Sequence, residues 1–337
     1  MYKILLSHPL YKDGMAALEN KAELIITNNG KAEEILEQLR LADAFILRIG
    51  NIDRKIIEQC PNLKVIARPG VGFDNVDVEA ATEYGIPVVI CPPVNARAVA
   101  EHTVSMMFAI AKNLVESAYE ARKGNYNIRN KYVAIDILGK TISILGFGNI
   151  GKEVAKICSS IGMKVIVFDP YVSRNVIEQK GYTFSDNMNE AIAAGDFVSL
   201  HMPSTPSTRN LFSREQFAVM KPTAFLLNAA RGDIIDEIAM LDALKHNKIA
   251  GVAADVLVED PPSSDNPFLK LPNFIYTPHM AAQTQETASK IALMAVSGTL
   301  ATLQGEKWEH VANKEVYEHP RWRKILGHER NGINERV

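Results

Sequence analysis

The sequence predicts a two-domain α/β protein built on parallel sheets, and three observations predict it. The chain has 337 residues, enough for two hydrophobic cores. Short runs of β-branched and apolar residues alternate with stretches of helical spacing. The alternation is broken once, by a long helical stretch near Ala96 to Lys123, and then resumes. Strands separated by helical crossovers pair in parallel, because a tight hairpin cannot reach a parallel neighbour.

The first series of strands reads YKILLS, AELIIT, AFILRI, LKVIARP and IPVVICP. Between them, Ala32, Ile35, Leu36 and Leu39 fall at helical spacing within Lys31 to Leu41, and Asp53 can cap a helix over Arg54 to Cys60 that Pro61 stops. After the Pro-rich CPPVN and the long helix, TISILGFG, KVIVFDP, DFVSLHMP, AFLLNAA, GVAADV and NFIYTPH predict a six-stranded parallel sheet. Its helices are expected at about Asn149 to Ile161, Ser213 to Met220 and Asp236 to His246. Thr284 to Leu303 reads as one long helix with an apolar face, and the charged tail from Glu306, with Pro320 and Trp322, as irregular or frayed. There is no repeat of solenoid length and no low-complexity tract.

Composition excludes several classes of function. A net charge of -2, with no run of five or more like charges, offers no field for a phosphate backbone, so nucleic acid is not an expected partner. The start MYKILLSHPLYKDG lacks the apolar core of a signal peptide, and no uncharged stretch is long enough to span a bilayer, so a cytoplasmic protein without a membrane partner is expected. Cys60, Cys91 and Cys158 lie far apart and form no CxxC, which predicts buried thiols rather than disulfides or a metal site.

One motif carries chemistry on its own. Gly146, Gly148, Asn149, Ile150 and Gly151 sit at a strand-to-helix junction in GFGNIG. Gly146 permits the tight turn, Gly148 lets backbone approach a pyrophosphate, and Gly151 allows close packing of helix on strand. The helix start adds N–H groups and partial positive charge. Asp169, 18 residues after Gly151 at the end of the next strand, is placed to accept hydrogen bonds from ribose hydroxyls and disfavours a 2′-phosphate. A Rossmann unit binding NAD is therefore expected. Arg174 keeps NADP open, and a glycine-rich turn that binds nothing is the plainer alternative.

Beside this motif the chain carries ARPGVGFDNVD (67–77), NARAVAEH (95–102), LLNAARGDIIDE (226–237), GVAADVLVEDPP (251–262) and TPHMAAQT (277–284). In this order, over about 40–315, the sequence resembles the D-isomer-specific 2-hydroxyacid dehydrogenases, nearest the phosphoglycerate dehydrogenase and hydroxypyruvate or glyoxylate reductase branches. The resemblance implies an NAD-binding Rossmann domain at 102–285, inserted into a smaller flavodoxin-like substrate domain formed by 1–101 and 286–337. It also implies substrate in the cleft between them, and a homodimer formed through the cofactor domain, with the long helix against its mate.

It further implies roles for single residues. His279 is the acid/base histidine, able to exchange a proton near neutral pH. Arg231 binds the carboxylate and carbonyl of a small 2-oxo or 2-hydroxy acid. Asp260 stands where the family carries the glutamate paired with that histidine; its stem is one methylene shorter, and Glu259 competes for the part. Asp255 accepts from the nicotinamide carboxamide. Val71 and Gly72 hold the substrate carboxylate through backbone N–H groups, and Arg48 contacts a distal phosphate. Glu101 and His102 read as capping or interdomain contacts, and His201 as lying near the cofactor. Ala281 stands where the family commonly has glycine, and Asp233 where a small residue is frequent. The implied activity is NAD-dependent reduction of a 2-oxo acid, phosphoglycerate dehydrogenase-like, with hydroxypyruvate or glyoxylate reduction as the alternative. A non-catalytic NAD(H)-sensing corepressor is the rival from another class.

Overall fold

The computed structural model describes residues 1–70, 72–91 and 94–332, without the side chains of 327–332. It divides into two compact units, Met1–Val94 with Gln285–Val337, and Asn95–Thr284. Among the described residues no helix is long and apolar enough to cross a membrane.

The first unit holds a parallel sheet of β1 (Tyr2–Leu6), β2 (Ala22–Ile26), β3 (Ala44–Ile46), β4 (Val65–Ala67) and β5 (Val88–Val89), in the order β2-β1-β3-β4-β5. Ile4, Leu5, Leu6, Phe45, Ile46, Val65 and Ile66 are all fully buried. The strands therefore read as continuous apolar runs, because helices cover both faces of a parallel sheet. Asp53 caps its helix, accepting from Ile56 N at 3.0 Å. The helix expected over Lys31 to Leu41 forms only at Leu36–Leu41. Lys31 instead makes a β-bridge with Asn51, and its N–H goes to Asn29 Oδ1 at 2.8 Å, so the preceding residues are held in turns.

Ala292, Val296 and Leu303 of the helix Gln285–Leu303 pack with Ile4, Leu6, Val65 and Val89 in one core. The tail after it is not frayed, contrary to the expectation. Val311 pairs antiparallel with Val89, and Ala312 N donates to Val88 O at 2.8 Å, which covers the edge of β5. Asn313, fully buried, accepts from Val88 N at 2.8 Å and donates to Ile86 O at 3.0 Å. Val316, Tyr317 and Trp322 are buried, and Pro320–Gly332 is helical. A few large apolar side chains order this segment, and its charged composition hides them.

The second unit holds β6 (Thr141–Leu145), β7 (Lys164–Phe168), β8 (Thr183–Phe184), β9 (Phe197–Leu200), β10 (Phe225–Asn228), β11 (Gly251–Ala254) and β12 (Phe274–Tyr276). All pair in parallel, in the order β12-β11-β10-β9-β6-β7-β8. The sheet has seven strands rather than six, because β8 is two residues long and leaves no apolar run to read. The expected long helix is two, Ala96–Ala111 and Leu114–Arg122, separated at Asn113, whose φ of 47° is left-handed. The units divide at 94/95 rather than 101/102. The reason is that Ala100, Val104, Met107 and Ile110 pack in the second unit's core, so the helix belongs there from its first turn.

Each sheet presents the carboxyl ends of its strands along one edge, where open α/β sheets receive ligands. In the second unit that edge carries Gly146 after β6, Asp169 after β7, His201 after β9, Arg231 after β10, Asp255 after β11 and His279 after β12.

Candidate functional site

The glycine loop shows why each glycine stands where it does. Gly146 has φ 99°, and a Cβ there would lie 2.7 Å from His201 O. A Cβ on Gly151 would lie 2.2 Å from Gly146 O, so the helix Asn149–Ser160 could not approach. At Gly148 a Cβ would meet nothing within 4 Å. The protein's own packing makes no demand on Gly148, whereas a pyrophosphate close to the backbone would. Gly148 is also the helix cap and offers no side-chain acceptor. The first-turn N–H groups, on Asn149, Ile150 and Gly151, are the kind that bind an anion.

Asp169 Oδ2 accepts from Phe147 N at 2.6 Å, and Oδ1 accepts from Tyr171 N at 2.8 Å. These bonds fix the carboxylate beside the glycine loop, and each oxygen retains a lone pair for a ribose hydroxyl. Arg174 donates to Glu178 Oε1 at 3.2 Å and lies 3.9 Å from Asp186. Its charge is met by its own neighbours rather than offered to a 2′-phosphate. His201 shares a hydrogen bond with Ser199 Oγ at 2.8 Å, and burial pulls its imidazole down to about 3, so it stays neutral.

After β10 the chain turns on Asn228, a fully buried side chain that accepts from Ala230 N at 3.0 Å and donates to Arg231 O at 2.9 Å. Gly232 follows because a Cβ would lie 2.1 Å from Leu257 C. Arg231 is thus held on a rigid turn, with Nη1 donating to Ala230 O at 2.8 Å. Asp233 takes hydrogen bonds from Ser204 Oγ at 2.6 Å and Arg209 Nε at 3.2 Å, and so ties down the loop after β9.

Asp255 is 1% exposed. Its Oδ1 accepts from Thr277 Oγ1 and from Met280 N at 3.0 Å, and its Oδ2 accepts from Ala281 N at 2.8 Å. His102 Nε2 lies 3.4 Å from Oδ1 and 2.9 Å from Thr277 Oγ1. His102 therefore belongs to this network inside the second unit, rather than to a cap or an interdomain contact. Burial alone would push the carboxyl of Asp255 up, but the hydrogen bonds from His102, Thr277, Met280 and Ala281 outweigh it and hold it below its ordinary value. The structure gives Asp255 a task beyond the expected carboxamide contact: it clamps the 277–281 turn.

That turn presents His279 in a left-handed conformation, φ 50°, with its N–H donating to Asp255 O at 2.9 Å. His279 Nδ1 lies 2.6 Å from Asp260 Oδ2. The imidazole is 56% exposed, which leaves the ring in reach of a ligand, with Nε2 as the nitrogen not committed to the acid. Glu259, the competing acid, accepts from Ser263 N at 3.2 Å. Tyr276, closing β12, stays neutral beside the pair: burial first, then Asp260 and Asp255, push its hydroxyl up to about 12.

In the first unit, Arg48 follows β3 and donates through Nη1 to Pro9 O at 3.2 Å. Gly72 O accepts from Arg68 Nε at 3.3 Å, and Arg68 Nη1 also donates to Leu47 O at 2.6 Å and Arg48 O at 2.8 Å. Arg68 joins the turns after β3 and β4, a task no local pattern in ARPGVG reveals. Val71 lies outside the described residues.

Residues 104–281 match the family described as D-isomer specific 2-hydroxyacid dehydrogenase, NAD binding domain. A D-3-phosphoglycerate dehydrogenase of Methanocaldococcus jannaschii is 41% identical over 93% of this chain and 60% of its own length. The chain thus spans about half to three fifths of the length of the curated relatives it matches. Among solved structures, a protein of Thermus thermophilus is 32% identical, with a TM-score of 0.82, over 92% of this chain and 99% of its own. A pyruvate reductase of Chlamydomonas reinhardtii is 27% identical, with a TM-score of 0.82, over 91% and 97%.

The clamp has a pH signature. The carboxyl of Asp255 is held below its unfolded value, so its contribution to stability is complete above about pH 4 and is lost as pH falls through the folded value. Asp255→Asn is expected to destabilise the protein by about 1 to 3 kcal/mol near pH 7. In urea titrations the gap to wild type should close below about pH 4. An equal gap at both pH values would contradict the clamp.

Proposed function

The chain belongs to the D-isomer specific 2-hydroxyacid dehydrogenase family, and on that premise we propose that it interconverts a small 2-oxo acid and its D-2-hydroxy acid with NAD as cofactor. The observation that carries the proposal is the His279–Asp260 pair, at 2.6 Å, on the same sheet edge as Arg231 and the open glycine loop.

Gly146, Gly148, Gly151 and the helix start hold the pyrophosphate, and Asp169 takes the ribose hydroxyls. The nicotinamide, when bound, supplies or accepts hydride. Arg231 binds the substrate carboxylate with its rigid fork and polarises the carbonyl. His279 delivers a proton from Nε2 to the oxygen as it gains charge, and Asp260 orients the ring through Nδ1 and stabilises its protonated form. In the oxidation direction His279 takes that proton back. Retention of a histidine, an acid and an arginine in one constellation favours an enzyme over a cofactor-sensing corepressor.

For the substrate we favour a phosphoglycerate dehydrogenase-like reaction. The support is the set of relatives bearing that name; in this reading Arg48 would contact the distal phosphate, and Val71 and Gly72 the carboxylate. Hydroxypyruvate or glyoxylate reduction is the second reading. Three free, buried cysteines suit a reducing, cytoplasmic setting. Exposed Leu114, Val115 and Tyr119 on one helix, with Val133 and Leu138 beyond it, support a homodimer formed on the second unit.

The direct assay follows NADH loss with phosphohydroxypyruvate, hydroxypyruvate, glyoxylate and pyruvate. Turnover should be highest with phosphohydroxypyruvate, and Arg48→Ala should raise KM roughly tenfold for that substrate while sparing hydroxypyruvate. Absence of turnover with the whole panel would sink the enzyme reading. Light scattering on the 37.2 kDa chain should give about twice that mass. A monomer at micromolar concentration would refute the dimer.

A further inference from the structure

No step of the proposed reaction uses His102, yet its side chain reaches the network beneath His279. It lies on the helix Ala96–Ala111, which Ala100, Val104, Met107 and Ile110 seat in the second unit's core. The imidazole therefore projects from a fixed support. Its side chain is 19% exposed, and Nε2 lies 2.9 Å from Thr277 Oγ1 and 3.4 Å from Asp255 Oδ1. One turn on, Met106 Sδ lies 3.8 Å from the same threonine hydroxyl.

Hydrogen supply fixes the direction of these bonds. The Asp255 carboxyl is held below its ordinary value and is ionised near neutral pH, so both of its oxygens can only accept. Oδ1 accepts from Met280 N at 3.0 Å and Oδ2 from Ala281 N at 2.8 Å, and the contact of Thr277 Oγ1 with Oδ1 takes the threonine's one hydrogen. Thr277 then has no hydrogen left for His102. The bond between them runs the other way, from Nε2–H of His102 to Thr277 Oγ1, and onward from Thr277 to Asp255. An imidazole with its hydrogen on Nδ1 alone would set a lone pair against the lone pairs of the threonine.

This relay has a mechanical consequence. Thr277 opens the turn, Met280 and Ala281 close it, and all three meet on one carboxylate. A threonine hydroxyl otherwise rotates to suit whichever acceptor is near. Here the hydrogen from His102 occupies one of its lone pairs and leaves its own hydrogen directed at Asp255, and bonds in such a chain strengthen one another. Burial pushes the Asp255 carboxyl up, and the contact with His102 is the largest of those that bring it back down. We propose that His102 is a positioning residue for His279: by donating from Nε2 to Thr277 it locks the 277–281 turn onto Asp255, and so holds the left-handed backbone, φ 50°, that presents the imidazole. Its effect on rate rests on the dehydrogenase reading, whereas its effect on the turn does not.

The test uses the full chain with 15N-labelled histidine. At about pH 8 the long-range 1H–15N pattern of His102, assigned among the eight histidines by its loss in His102→Gln, should show a hydrogen on Nε2. Amide exchange at Met280 and Ala281 should quicken roughly tenfold in His102→Leu. It should return to within about twofold of wild type in His102→Gln, whose amide reaches as far as Nε2 and can donate. In the NADH assay, kcat per folded molecule should fall roughly tenfold in His102→Leu and largely recover in His102→Gln. KM for the 2-oxo acid should stay within about twofold, since Arg231 is held by the separate turn on Asn228. Should His102→Leu not fold, His102→Asn, too short to reach Thr277, takes its place. The hydrogen position and the exchange rates need no turnover, so they hold or fail apart from the proposed reaction. A hydrogen on Nδ1 alone, unchanged exchange or kcat in the variant without the donor, or no recovery in His102→Gln would each overturn the proposal.

Discussion

The carboxylate of Asp255, buried at the end of β11, accepts from Thr277, Met280 and Ala281 and so fixes the turn that carries His279. A left-handed backbone at a residue other than glycine costs about 1 to 3 kcal/mol. Each hydrogen bond to a charged group contributes about 1.5 to 3 kcal/mol, so the clamp outweighs the strain it imposes. That carboxylate would cost several kcal/mol to bury without these donors, and its depressed ionisation shows that they prevail. His102 closes the network from a helix far away in sequence. His279 is therefore placed largely by the polar core beneath it.

The same separation of tasks runs through the glycine loop. Gly146 and Gly151 answer to the protein, since a Cβ at either would collide with backbone. Gly148 answers to no protein atom within 4 Å. Two glycines build the turn, and the third leaves it open to a ligand. Asp169 is likewise held by two backbone N–H groups before any ribose is present, an arrangement that lowers the cost of binding.

Much of this was legible in the sequence, for physical reasons. The strands of both sheets show as apolar runs because parallel strands are buried on both faces, and the helix after Asp53 announces itself through its cap. The break at Asn113 escaped, since one left-handed residue leaves the helical pattern intact on either side. β8 is too short to read, and the ordered tail was masked by its charge. At the site, GFGNIG is readable because backbone geometry confines its chemistry to a short motif, whereas His279 in TPH is singled out only by the family resemblance. Asn228, Arg68 and His102 carry no such mark: their partners are set by the fold, and only folding brings them together. The clamping task of Asp255 escaped for the same reason, since its donors sit more than twenty residues downstream.

Asp260, one methylene shorter than the glutamate that the resemblance implies, still lies 2.6 Å from Nδ1. The account then rests on His279 as the proton carrier of a hydride transfer. Its most direct test is kcat/KM for NADH-driven reduction of the best 2-oxo acid, in wild type and in His279→Gln. His279→Gln should lose at least about a hundredfold in rate while still binding NADH. A variant that kept the wild-type rate would contradict the account.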